Sequence, residues 1–267
     1  MDTDQAKLPA KIKRAAKAAS EFALEHFGRV KGELKPDMTY MTEVDTGIEA
    51  MLRRRLPRIL PGSVVVGEEN LNGCPDCDLL KTEYVWVIDP VDGTAAFIEG
   101  LPTFCVSIGL MRRGRPYAGV IMLPATGDVY EAVRGHGAFY NGIPVSATGR
   151  LMHEAPLIIS SKSHLTYRIT YPGKTRNMGS AALNFALVAR AVAIGAIARP
   201  FVWDLAAAAA ILLEAGASVR YLDGSPIDWR AMMVSRDRFA LPVVAASKNR
   251  WKKVASWLDV VDLSIND

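Results

Sequence analysis

The sequence predicts an α+β half joined to an α/β half, and three observations lead there. Two stretches of helical period open the chain. A series of short β-rich runs, separated by Gly and Pro turns, follows as far as an Asn141-Gly142 hairpin. Helical and strand patterns then alternate toward the C-terminus. The boundary falls near Ser146 to Pro156, which divides an α+β half (1–150) from an α/β half (151–267).

Ala10 to Phe27 carries Ile12, Ala15, Ala19, Phe22, Ala23 and Phe27 on one stripe and stops at Gly28, the pattern of an amphipathic helix. Arg29 to Tyr40 is polar with Gly and Pro and reads as a mobile loop. Thr42 and Asp45 have capping-box spacing, and Val44, Ile48, Met51 and Leu52 continue a second helix that Pro57 and Pro61 end. The period then changes. Val64-Val65-Val66, Tyr84 to Ile88, Phe104 to Met111, Tyr117 to Leu123 and Asp128 to Val133 read as strands. Past the boundary, Leu157 to Ser160 is a strand and Ser180 caps a helix from Ala181 to Val192. Asp204 caps another from Leu205 to Ala215, stopped by Gly216. Ser218 to Leu222 and Pro242 to Ala246 are strands, and Asn249 to Leu258 is a final helix.

Composition narrows the function classes. The chain has 267 residues, half of them hydrophobic and 22% charged, which excludes a disordered, collagen-like or coiled-coil protein. Lys plus Arg exceed Asp plus Glu by four, too little to argue for a nucleic-acid partner and equally suited to small anions. No apolar run reaches the ~18–20 residues that span a bilayer. Met1 to Arg14 lacks the apolar core of a signal peptide. Cys74, Cys77 and Cys105 fit a reducing compartment. A cytoplasmic location is the expectation.

The chemistry concentrates in Trp86-Val87-Ile88-Asp89-Pro90-Val91-Asp92-Gly93-Thr94. A buried strand runs into two carboxylates three residues apart, and Pro90 with Gly93 predicts a tight turn that ends the sheet. Oxygen-only ligands on one short turn suit Mg²⁺, a hard cation. Gly93 and Thr94 offer backbone N–H groups to a phosphate. Gly67-Glu68-Glu69 sets further acids at a strand end, and Trp203-Asp204 opens an almost uninterrupted apolar helix.

These segments, with Gly135 to Gly142 and Gly179-Ser180-Ala181-Ala182 between them, resemble the inositol monophosphatase family of Mg²⁺-dependent, lithium-sensitive phosphatases. The resemblance runs from about Ala10 to Ala246 and implies a layered αβαβα sandwich. It implies that Glu68, Asp89 and the Val91 carbonyl hold one Mg²⁺, that Asp89, Asp92 and Asp204 hold a second, and that a third uses Glu68. Asp45 and Thr94 would then position and deprotonate the attacking water, with Glu69 supporting them. Gly93, Thr94, Gly179, Ser180 and Ala181 would face the substrate. The expected activity is hydrolysis of a small phosphorylated metabolite by a homodimer. Ile197 stands seven residues before Asp204, where inositol-specific members carry a hydroxyl-binding acid, so inositol 1-phosphate is not the expected best substrate. Nearby Arg199 is a candidate for a second anionic group. The alternatives are a 3′(2′),5′-bisphosphate nucleotidase, a histidinol-phosphate phosphatase, or a protein that binds the transcription machinery.

Other signals read as structural. Cys74-Pro75-Asp76-Cys77 lacks the helix-opening context of a redox motif and the four ligands of a zinc site. Gly135-His136-Gly137 runs into a turn rather than a helix, so it is no dinucleotide fingerprint. The four histidines have no ligand spacing, and Arg53-Arg54-Arg55 reads as the solvated face of the second helix.

Overall fold

The computed structural model describes residues 7–36, 38–70, 79–151, 153–235 and 237–264; the Cys74–Cys77 motif lies outside them. The opening helices are α1 (Leu8–His26) and α2 (Glu43–Ile59), each burying one apolar stripe. Between them, the expected loop contains a short antiparallel pair, β1 (Glu33–Leu34) and β2 (Tyr40–Met41). Thr42 caps α2 as the spacing predicts. Pro57 does not end it. Inside its last turns the proline forfeits a single intrahelical bond, and the Leu60 N–H still closes on the Leu56 carbonyl at 3.3 Å.

The first sheet has seven strands in chain order: β3 (Val64–Gly67), β4 (Tyr84–Asp92), β5 (Cys105–Arg112), β6 (Arg115–Leu123), β7 (Asp128–Val133), β8 (Ala138–Tyr140) and β9 (Ile143–Val145). β3 runs parallel to β4 and the other pairs are antiparallel. Asn141 and Gly142 turn the last hairpin, both with positive φ.

The second sheet is ordered β12 (Thr175–Arg176), β10 (Leu157–Ile159), β13 (Gly195–Ala198), β15 (Val243–Ser247) and β14 (Ala217–Tyr221), parallel across its first three strands and antiparallel beyond. Helices α5 (Ala181–Ala189) and α6 (Val202–Glu214) fill the space between the sheets. α5 ends three residues before the expected Val192, and Ala191 takes a positive φ. The outer face of the second sheet is covered by α8 (Trp251–Ala255) and by the antiparallel pair β11 (Tyr167–Ile169) and β16 (Leu258–Val260). The expected helix to Leu258 is therefore shorter, because Leu258 already pairs as a strand. Short helices α3 (Thr94–Ile98), α4 (Ser163–Thr166) and α7 (Trp229–Ser235) lie in the connections.

Helices α1 and α2 pack on the free face of the first sheet. The layers are thus α, β, α, β, α, the sandwich the resemblance implies. Leu205 to Leu212 is buried along its whole length, which explains why this helix carries no polar face. It also lies close on the first sheet. A Cβ on Gly109 would come within 2.8 Å of the Ala207 nitrogen, and one on Gly119 would overlap the Ala207 carbonyl oxygen.

Candidate active site

Strand β4 continues through the acidic motif to Asp92 instead of stopping at Ile88. The sheet accommodates Pro90 by a register slip: Asp89 pairs with Ser107 and Asp92 with Cys105. The turn comes one residue later. Gly93 has φ +95°, a left-handed conformation, and caps α3. A Cβ there would meet the Gly179 carbonyl oxygen at 3.0 Å. The acidic turn and the start of α5 therefore abut.

That contact fixes Asp92. Its Oδ2 accepts the Ser180 hydroxyl at 2.6 Å and the Ala182 N–H at 2.5 Å, while Oδ1 accepts the Ala181 N–H at 3.0 Å. Ser180 caps α5 by accepting the Leu183 N–H at 3.1 Å. The Ser180 hydroxyl and the Ala181 N–H, expected to meet substrate, are in this structure spent on Asp92. Asp204 is not the N-cap the sequence suggests. α6 starts earlier, at Val202, and the Asp204 carboxylate reaches back to the Phe201 N–H at 2.8 Å. This leaves Asp204 facing Asp89 and Asp92, with ligand oxygens of the three all within 4.8 Å of one another.

The three acids strain against their surroundings. Burial, reinforced by the Asp92 charge, pushes the Asp204 carboxyl up to about 7. Burial raises Asp89, and the charges of Glu68 and Asp92 add to it. Burial raises Asp92 as well, against the bonds from Ser180, Ala182 and Ala181. Buried carboxylates this close need a cation to stay ionised. An all-oxygen donor set fits a hard divalent cation.

Glu68 and Glu69 flank the cluster. Lys35, from the connection between β1 and β2, bridges them with Nζ 2.7 Å from Glu68 and 2.8 Å from Glu69. Burial pushes Glu68 up to about 8; the Lys35 charge opposes this and the Glu69 and Asp204 charges reinforce it. Burial disfavours the Lys35 ammonium, but Glu68 and Glu69 outweigh it and hold the group above its ordinary value. The backbone after β3 hangs on Glu49 of α2, whose carboxylate accepts the Glu69 N–H at 2.8 Å and the Asn70 N–H at 3.0 Å. Arg53 holds Glu49 at 2.8 Å and also donates to the carbonyls of Val65 at 2.8 Å and Asn70 at 2.6 Å. Arg53 thus leaves the solvated face expected of it; Arg54 and Arg55 remain exposed. Lys35 and Glu49 escaped the sequence reading, which took Arg53 only for a solvated charge. The i, i+4 spacing of Glu49 and Arg53 was their one local signal.

Asp45 and Thr94 come together from α2 and α3, with Thr94 Oγ1 3.2 Å from Asp45 Oδ1 and 3.0 Å from the Val91 carbonyl oxygen. Asp45 Oδ2 is occupied by the Thr42 N–H at 2.8 Å and the Thr42 hydroxyl at 2.5 Å. Burial raises the Asp45 pKa against these bonds.

Lys35, Glu68, Asp89, Asp92, Thr94 and Asp204 border one cavity of about 650 Å³, with Asp45 and Glu69 behind its wall. Gly93, Gly179 and Ala181 line it, as do Lys162 and Arg238. Arg199 lines it too, yet its Nε and one terminal nitrogen donate to the carbonyls of Phe239 at 3.3 Å and Leu263 at 2.6 Å. Ile197 points the other way. Strand alternation turns it to the outer face of the second sheet, beside Trp251 and Val254, and leaves Ala198 on the cavity wall.

Residues 4–253 match the model of the inositol monophosphatase family. Inositol monophosphatase 2 of Solanum lycopersicum is 32% identical over 237 residues, 83% of this chain and 89% of that protein. A histidinol-phosphatase of Mycobacterium tuberculosis is 34% identical over 227 residues, 78% of this chain and 85% of that one. Among solved structures, an inositol monophosphatase of Thermotoga maritima superposes with a TM-score of 0.77 at 25% identity, covering 96% of each chain. With its layered fold, its carboxylate cluster and a family match over nearly its whole length, the chain belongs to the inositol monophosphatase family of phosphomonoesterases.

Proposed function

We propose that this phosphatase is Mg²⁺-dependent and hydrolyses a small soluble phosphate ester by direct attack of water. The observation that carries the reading is the Asp89, Asp92 and Asp204 cluster, its ligand oxygens within 4.8 Å, on the same cavity as Thr94, which donates to Asp45 behind it. In this reading Glu68, Asp89 and the Val91 carbonyl hold one Mg²⁺, Asp89, Asp92 and Asp204 a second, and Glu68 helps hold a third. Bound there, the cations supply Lewis acidity and offset charge on the phosphate oxygens. Residues 1–150 then supply most of the metal ligands, and residues 151–267 supply Asp204 and much of the substrate wall.

The chain's own groups orient and move the proton. Thr94 Oγ1 takes a proton from the attacking water as its own passes to Asp45 Oδ1. Thr42 holds Asp45 Oδ2 through that transfer, so the carboxylate cannot rotate away. Burial raises the Asp45 pKa, which makes it a stronger proton acceptor than a solvated aspartate. Glu69, tied by Glu49 and Lys35, keeps Glu68 in register. Gly93 and Thr94 present N–H groups of the first turn of α3 to the phosphate. Lithium inhibition and a homodimer follow from the family resemblance alone, and a cytoplasmic location from the three cysteines that suit a reducing compartment. No helix among the described residues is long and apolar enough to cross a membrane.

Phosphate release from a panel of phosphomonoesters, with EDTA and after Mg²⁺ is restored, tests the proposal. EDTA should abolish release and Mg²⁺ should restore it. Release that persists in EDTA, or none from any ester with Mg²⁺ present, overturns it.

A further inference from the structure

We infer that Arg238 is a specificity-determining residue that receives a second anionic group of the substrate, so the preferred phosphomonoesters carry a carboxylate or another phosphate. The inference rests on the phosphatase reading above and names the substrate class for that same cavity. Two arginines border the cavity, and the structure separates them. Arg199, the one the sequence suggests, spends two of its nitrogens on backbone carbonyls. Arg238 spends one terminal nitrogen, on the Arg199 carbonyl at 2.8 Å, and keeps its other N–H donors. Among the described residues no carboxylate lies within ion-pair distance of it.

Arg238 is also held in place before any ligand arrives. Its guanidinium carbon sits 4.4 Å from the centroid of the Phe201 ring. Phe201 in turn stacks on Trp203, with centroids 4.6 Å apart and planes 9° from parallel. Trp203 is the residue before Asp204. A short stack therefore ties the guanidinium to the chain that carries a cluster carboxylate. A planar, pre-organised guanidinium loses little freedom on binding and forms paired bonds with carboxylate or phosphate.

The charge balance of the cavity points the same way. Once divalent cations offset Asp89, Asp92, Asp204 and Glu68, the charge of half-buried Arg238, which otherwise acts on Asp204, is released to meet an anion at the lining. Asp237 lies beside Arg238 but is exposed, where water screens its charge. The other role open to Arg238 is to fasten residues 199–201, on which α6 begins. A fastener would support every substrate equally, whereas an anion receptor discriminates.

The experiment compares kcat/KM for two esters, glycerol 3-phosphate and 3-phosphoglycerate, similar in size but differing by a carboxylate. The enzymes are the Mg²⁺-loaded wild type, Arg238→Gln and Arg238→Lys. The wild type should favour 3-phosphoglycerate by about 10- to 100-fold, the range of one charge-assisted hydrogen bond. Arg238→Gln should bring that ratio close to one, mainly by weakening binding of the carboxylate-bearing ester and so raising its KM. Arg238→Lys should recover part of the preference. A wild type without preference overturns the inference alone and needs no variant. So does equal loss on both esters in Arg238→Gln. Hydrolysis of neither ester by the wild type, alongside a blank phosphomonoester panel, overturns the phosphatase reading and this inference with it.

Discussion

The floor and the rim of the cavity are held by different means. On the floor, Asp92 takes bonds from Ser180, Ala181 and Ala182, and Asp45 takes two from Thr42. These bonds come from helix starts, so backbone geometry sets each carboxylate. On the rim, Lys35, Lys162 and Arg238 reach in on long side chains from short connecting segments. In the proposed reading the acids that do chemistry are built into the fold, while Lys162 and Arg238 are attached to it on the substrate side and Lys35 is held by Glu68 and Glu69. Substrate choice can shift in such a site without disturbing the reaction.

The largest expected effect is on the floor. Asp45→Asn and Thr94→Ala should each lower kcat by roughly 10²–10⁴-fold, the usual contribution of general base catalysis, with KM nearly constant. Steady-state kinetics at saturating Mg²⁺ would check this. A change confined to KM would move the pair to the rim and erase the contrast.

A smaller effect is expected beneath the floor. Arg53→Ala strips Glu49 of its cation while the carboxylate stays buried, its side chain 3% exposed. Leaving a buried charge unpaired costs about 3–5 kcal/mol; Arg53 is partly wet, so about 2–4 kcal/mol is the expected loss. Urea unfolding at constant Mg²⁺ measures it. A loss under about 0.5 kcal/mol, the level of surface substitutions, would return Arg53 to the solvated face.

A third effect sharpens the contrast through pH. Glu68 at about 8 and Asp204 at about 7 stand above ordinary carboxylate values of 4.5 and 3.8. The folded, metal-free chain holds these protons more tightly than the unfolded chain does. Its stability from them is complete below about pH 4 and is lost as pH rises through 7 and 8. In EDTA the melting temperature should therefore be lower at pH 8.5 than at pH 5.5, and added Mg²⁺ should raise it more at pH 8.5. A melting temperature that climbs over that interval without metal would contradict the electrostatic account of the floor.

Legibility follows the same division. Asp89 to Thr94 could be read because the acids, the proline and the glycine act within six consecutive residues. The Thr42–Asp45 cap was readable for the same reason. Strand β13 was not, since Gly195-Ala-Ile-Ala is short and carries little β-branched bulk to separate strand from helix. The role of Asp204 differs by one step from the expected cap, because an aspartate at the cap and one at the third helical position look alike when apolar residues surround both. Lys35 meets acids 33 and 34 residues away and Arg238 a carbonyl 39 residues away, so no local pattern could announce either.

The close seating of α6 on the first sheet has a consequence for metal choice. Asp204 rides on the helix and Asp89 and Asp92 ride on β4, so the bite of the cluster is the thickness of one helix–sheet contact. Gly109 and Gly119 set that thickness by lacking side chains where Ala206 and Ala207 press in. Oxygen ligands stand about 2.0–2.1 Å from Mg²⁺ and 2.3–2.6 Å from Ca²⁺. A few tenths of an ångström of separation is all that divides the two ions, and one added methyl group exceeds it. In the proposed reading the spacing that a cation would meet therefore depends on two residues that own no ligand atom, no charge and no place in the cavity.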